Sequence, residues 1–114
     1  MYTIIDYLYR DGSNYKRLNK VYINGTLSEH QKARIIGSLD EGEYFIPSAI
    51  GWNEERVSAD YNDDDHCWFE LTKDDFIEVS EKPSFITFDE RTPDEIVYAF
   101  CSTNWEEHME DWQM

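Results

Sequence analysis

Positive charge is scarce in this chain. Lys and Arg number 10 against 25 Asp and Glu, a formal net charge of −15 over 114 residues. Direct binding to DNA, RNA or an anionic membrane surface needs a basic footprint, and none is present in the overall balance. Cysteine is also scarce: Cys67 and Cys101 stand far apart, with no CxxC. Two thiols cannot build the Cys-rich zinc cages or a disulfide framework. Both are expected to be buried as small hydrophobes in a reducing cytosol, with a Cys67–Cys101 disulfide as the alternative. No apolar run approaches the roughly 18 residues that span a bilayer. Met1–Asp6 has no basic n-region and no cleavage site, so a cytoplasmic location is expected. GxGxxG, GxxxxGK[ST] and HExxH do not occur, and no cofactor is expected.

What the chain does have is aromatic residues and acid. Tyr, Phe and Trp make up 16% of it, too many for a disordered acidic tail. The length suits one domain, and 1–114 is read as a single compact unit. Residues 1–50 hold six cations and six anions; residues 51–114 hold four cations and nineteen anions, so the whole net charge falls in the second part. Such asymmetry suggests a polarised surface, although acidity can also serve solubility alone.

The local patterns predict an α+β fold in the order ββα, loop, ββ(β), α. Its antiparallel sheet has four to five strands, with two helices packed on one face. Tyr2–Arg10 and Arg17–Ile23 read as strands joined by Asp11-Gly12-Ser13-Asn14 turn chemistry. Asn24-Gly25 closes the second strand. Ser28-Glu29-His30-Gln31 fits a capping box, Ile35, Ile36 and Leu39 recur at helical spacing, and Gly42 is the expected stop. Residues 48–65 have no period and are expected to form a long surface loop, with one helical turn near Pro47–Ile50. His66–Leu71 alternates, with Cys67, Phe69 and Leu71 on one side. Phe76–Val79 and Phe85–Phe88 are further candidate strands. Thr92-Pro93-Asp94-Glu95 starts a helix with Ile96, Val97, Phe100 and Cys101 as its stripe. Thr103–Glu106 repeats the capping pattern, and 109–114 is expected to fray.

Tyr9–Lys16 (Y-R-D-G-S-N-Y-K), Tyr44–Gly51 (Y-F-I-P-S-A-I-G) and Asp64–Leu71 (D-D-H-C-W-F-E-L) resemble, in this order, a group of small acidic uncharacterised bacterial proteins. The resemblance implies one intact small domain and no particular activity. The group carries a second His where this chain has Phe69, which puts a paired role for His66 in doubt.

Specific chemistry fails on spacing. Asp60, Asn62 and Asp64 fit positions 1, 3 and 5 of an EF-hand loop, but Asp65 stands where Gly is needed and Leu71 where Glu is needed. Cys67 is adjacent to His66, on opposite faces of a strand, and Cys101 is about 10 Å along a helix from His108. Catalytic residues and a built metal site are therefore not expected. Trp52, Trp105 and Trp112 sit among acids, where an exposed Trp reads as an interface anchor and a buried one as core.

Two kinds of function fit. The first is an acidic binding module whose carboxylates imitate a phosphate backbone and occupy the groove of a basic nucleic-acid-binding protein. Small anti-restriction and anti-CRISPR inhibitors, often phage-encoded, are similar in size and charge only. The contact residues would be Asp63, Asp64, Asp65, Asp74, Asp75, Glu78, Trp105, Glu106, Glu107, Glu110 and Asp111. The alternatives are an interaction or regulatory protein without mimicry, and a small metal-dependent enzyme using His66 with Asp63–Asp65.

Overall fold

The computed structural model describes residues 1–57 and 65–109. Two nine-residue strands, β1 (Tyr2–Arg10) and β2 (Lys16–Asn24), form an antiparallel hairpin in which Thr3, Ile5 and Tyr7 face Ile23, Val21 and Asn19. Asp11 shapes the turn: its carboxylate accepts from the Ser13 and Tyr15 amides, each at 2.9 Å. Beyond β2, Gly25 takes φ +100°, and a Cβ there would lie 3.4 Å from the Pro93 ring. The positive φ is what favours glycine here, since the Pro93 ring would meet a Cβ only at ordinary contact distance.

Helix α1 (Glu29–Ser38) starts at the Ser28 capping box, with Gln31 N donating to Ser28 Oγ and Ser28 N to Gln31 Oε1. It stops at Ser38 rather than running to Gly42. Ser38 Oγ donates to the Ile35 carbonyl, and Gly42 serves the next turn with φ +72°. The chain then makes β3 (Tyr44–Phe45), a 3-10 turn (Pro47–Ile50), β4 (Phe69–Glu70), a 3-10 turn (Lys73–Asp75), β5 (Phe76–Val79) and β6 (Thr87–Asp89). Helix α2 (Pro93–Ser102) and a 3-10 turn (Trp105–His108) complete it.

The fold is α+β. The sheet order is β3-β4-β1-β2-β6, and β5 pairs the other half of the edge that β1 gives to β4. The length of β1 allows this sharing: Tyr2–Ile5 take β5, while Leu8 and Tyr9 take β4. Two points differ from the sequence reading. Among the described residues the sheet has six strands, and β6 runs parallel to β2. Of the expected strand His66–Leu71, only Phe69–Glu70 pairs, because the His66 ring binds the Trp68 amide and the Arg10 carbonyl.

The odd-numbered residues of β1 point into one core with Val21, Ile23, Ile35, Phe45, Phe69, Ile96, Val97 and Phe100. Both helices cover this face. The stripe expected on α2 is buried at Ile96, Val97 and Phe100, but Cys101 is exposed, on the flank toward α1 with Sγ 3.7 Å from the Arg34 carbonyl. Both cysteines are free thiols, and Cys67 alone is buried. Residues 51–57 form no helix or strand, in keeping with their lack of period, but the segment 48–57 is anchored to the core. Ile50 and Trp52 are buried, and the Asn53 carbonyl accepts from Tyr7 Oη at 2.7 Å. Trp52 Nε1 donates to Asp89 at 2.7 Å, and Arg91 links the same carboxylate to the Ile50 carbonyl. Aromatic contacts among Tyr7, Phe45, Trp52, Phe100 and Trp105 knit this region together. Among the described residues, no helix is long and apolar enough to cross a membrane.

Candidate functional site

At the C-terminal end of α1 the fold gathers acids from four stretches of chain. The turn leaving α1 carries Asp40, Glu41 and Glu43. It is held by Asp40 N donating to the Tyr44 carbonyl at 2.8 Å, and Glu43 accepts on its own carbonyl from Leu71 N at 3.0 Å. That second bond places the end of β4, with Glu70, and the following turn, with Asp74 and Asp75, beside it. From the other side comes the turn after α2. Trp105 Nε1 donates to the Ser38 carbonyl at 2.9 Å, which sets Glu106 against Asp40 and Glu41 around a shallow cleft of about 420 Å³. Glu107 follows on the same turn.

The electrostatics register this convergence at Tyr44. Glu43 first, then burial, then Glu70 and Glu41 push its phenol up, with Arg10 opposing. A phenol that must ionise near several carboxylates pays a like-charge cost. Within these stretches Lys73 supplies one positive charge, and the salt bridge from Arg10 to Glu70, at 3.0 Å, brings a second. Glu41, Glu43, Asp74, Glu106 and Glu107 are solvent-exposed. Asp75 is partly withdrawn, accepting from Thr72 N at 2.8 Å in a second capping box.

The expected contact residues divide accordingly. Asp74, Asp75, Glu106 and Glu107 come together here. Glu78 is exposed but stands apart: it pairs Thr3 on β1 whereas Glu70 pairs Leu8, five residues or about 16 Å along the strand. Asp65 is drawn inward, accepting from Tyr9 Oη. Trp105 is a correction. It is 6% exposed and packs on Phe45 and Phe100, so it is core and not a surface anchor. Trp52, at 6%, is core likewise. Asp63, Asp64, Glu110, Asp111 and Trp112, and the EF-hand positions Asp60 and Asn62, lie outside the described residues. Asp40, Glu41, Glu43 and Glu70 were missed because the first three belong to the electrically neutral part of the sequence. The β3–β4 pairing, the bond from Leu71 to Glu43 and the packing of Trp105 on Ser38 unite them with the others.

A second polar group sits beside this one, at the C-terminal end of β1, where Arg10 reaches Glu70 through its side chain and His66 through its carbonyl. The Trp68 amide can only donate, so it fixes His66 Nδ1 as acceptor at 3.1 Å. Nε2 then carries the proton and donates to the Arg10 carbonyl at 2.6 Å. Arg56 donates to the His66 carbonyl at 3.2 Å and lies 5.2 Å from the Tyr9 and Phe69 ring centres. Tyr9 is pushed up to about 12, first by burial and then by its bond to Asp65. Burial also raises the Cys67 thiol, the wrong direction for a nucleophile. Both ring nitrogens of His66 are thus engaged by backbone groups. Among the described residues, no three His, Cys, Asp or Glu side chains are placed to hold a metal ion.

Compared with protein-family models, curated proteins and solved structures, the chain gives no match. The resemblance drawn on the three patches stays an expectation.

Proposed function

We propose that the chain is an acidic binding module that inhibits a nucleic-acid-binding protein by occupying its basic groove, as an anti-restriction or anti-CRISPR inhibitor would. It acts by exclusion and catalyses no reaction. The observation that supports this reading is the convergence of Asp40, Glu41, Glu43, Glu70, Asp74 and Glu106 at one end of the fold, with few cations among them. Duplex DNA carries one charge per roughly 1.7 Å of axis, and a groove built for it attracts clustered carboxylates over a distance of about a Debye length. Such attraction raises association rates and fades with salt.

The test is capture from a bacterial lysate on the immobilised chain, at low and at high salt, followed by competition with duplex DNA and RNA. The expected result is a nucleic-acid-binding protein that is retained at low salt, released at high salt and displaced by nucleic acid. Partners that ignore both salt and nucleic acid would remove the mimicry reading.

A further inference from the structure

One histidine ring closes the bend that leads into β4. Residues 65–68 belong to no strand, and β4 itself pairs with β1 through two residues, Phe69 opposite Tyr9 and Glu70 opposite Leu8. His66 ties the bend to the end of β1 instead. Its Nδ1 accepts from the Trp68 amide at 3.1 Å, and its Nε2 donates to the Arg10 carbonyl at 2.6 Å. The ring is half-buried, tilted against Tyr9 with 5.2 Å between centroids. A neutral imidazole serves both partners. A protonated one carries hydrogen on both nitrogens and has no acceptor left. Its Nδ1–H would then face the Trp68 N–H, donor against donor.

We propose that His66 is an acid-released latch. Neutral, it fastens the 65–68 bend to the end of β1; protonated, it gives up the Trp68 amide and frees the bend. Histidine changes charge between about pH 5 and 8. Among the described residues, the groups around the ring come from every neighbouring element. Arg10 on β1 and Arg56 on the 53–57 segment, which donates to the His66 carbonyl at 3.2 Å, oppose a further positive charge. Asp65 on the bend favours it, as do Glu54 and Glu70, which pair with those arginines at 3.4 and 3.0 Å. Tyr9 and Cys67 are both pushed up and stay neutral across this range. Release is local, because Cys67, Phe69 and Leu71 are buried and keep the chain in the core. What comes loose is Asp65 and the half-buried Trp68. An asparagine at this position would accept the same amide at any pH, whereas histidine makes the bond conditional. The latch does not depend on what the acidic end binds.

Nuclear magnetic resonance on the full chain tests the latch with no partner present. At about pH 7.5 the ring nitrogen signals of His66 should report the Nε2–H tautomer. As the pH falls to about 5, hydrogen-exchange protection of the Trp68 amide should drop about five- to tenfold, the worth of one hydrogen bond. The drop, corrected for the intrinsic pH dependence of exchange, should follow protonation of that ring. The Val21 amide, in the β1–β2 hairpin opposite Ile5, should keep its protection. The transition expected at Asp89 lies below about pH 4, clear of this window. His66→Asn keeps an acceptor for the amide and removes the titration, so its Trp68 protection should stay level. His30→Asn and His108→Asn should leave the wild-type drop in place. Should His66→Asn fail to fold, as near-ultraviolet circular dichroism would show, the wild-type ring and amide signals still decide. An Nδ1–H tautomer at neutral pH overturns the proposal. So does a ring that stays neutral down to about pH 5, Trp68 protection that holds while the ring protonates, or a drop that persists in His66→Asn.

Discussion

Asp89 shows how one carboxylate can organise a region with no regular structure. It accepts from Trp52 Nε1 and from Arg91 through both backbone and guanidinium, and Arg91 in turn reaches the Ile50 carbonyl. Burial alone would raise its pKa, but the bonds from Arg91 and Trp52 outweigh burial and hold it below the ordinary value. Its stabilisation is therefore fully present above the unfolded value of about 3.9 and is lost as pH falls through the folded pKa. Asp89→Ala should cost about 2–3 kcal/mol at neutral pH, since it strands the Trp52 and Arg91 donors, and denaturant melts followed by Trp fluorescence measure it. The gap between wild type and variant should close as pH drops below about 4. Tyr9 carries the opposite sign. Its phenol is raised to about 12, so its contribution is intact below its unfolded value of about 10 and disappears as pH rises through the folded one. Phenolate absorbance against pH should show late-titrating buried tyrosines, Tyr7 and Tyr9, of which Asp65→Asn brings only Tyr9 earlier.

The elements owe their limits to caps more than to hydrophobic pattern. Ser28, Thr72 and Thr92 each open a helical turn with a reciprocal capping box, and Pro93 supplies the first helical position of α2. Ser28→Ala should lower stability by about 1 kcal/mol without changing the fold, as read from thermal or urea unfolding. The turn after α2 is held by packing, with Trp105 inserted between α1 and the aromatic core. Trp105→Ala should cost about 3–5 kcal/mol through the cavity it leaves. The measurement is unfolding of the isolated chain, with no partner present. An unchanged midpoint would return Trp105 to the surface role its acidic neighbours suggest.

At the scale of the molecule, charge is distributed by topology and not by position along the chain. The Asp40–Glu43 turn, from the neutral part of the sequence, lies against Glu106 from the acidic part. Conversely Glu54, Glu55 and Asp89, from the acidic part, are neutralised by Arg56, Arg17 and Arg91. Glu41→Lys with Glu106→Lys should therefore slow association with a basic partner, and more so at low salt. Glu81→Lys with Glu90→Lys makes the same change in net charge at other exposed positions and should do much less. Equal effects, read from association rates against salt, would mean that only net charge matters.

Whatever depends on near neighbours was legible in the sequence. The hairpin follows from alternation flanking Asp11–Asn14, α1 from Ser28 and Gln31, and α2 from Thr92, Pro93 and Glu95, because strand alternation and capping boxes are local interactions between residues a few positions apart. The acidity itself, and the absence of any spacing suited to a known cofactor, were equally plain. Tertiary structure alone decided the rest. Trp52 and Trp105 stand among acids in sequence, yet they are buried, because burial is set by partners 37 and 67 residues away. The parallel pairing of β6 with β2 depends on the chain crossing the sheet, which no local period encodes. The acidic end exists because the β3–β4 pairing, a backbone bond from Leu71 to Glu43 and an indole bond from Trp105 to Ser38 bring four distant stretches together. Coulomb interactions follow distance in space, and that distance is fixed only when the core closes.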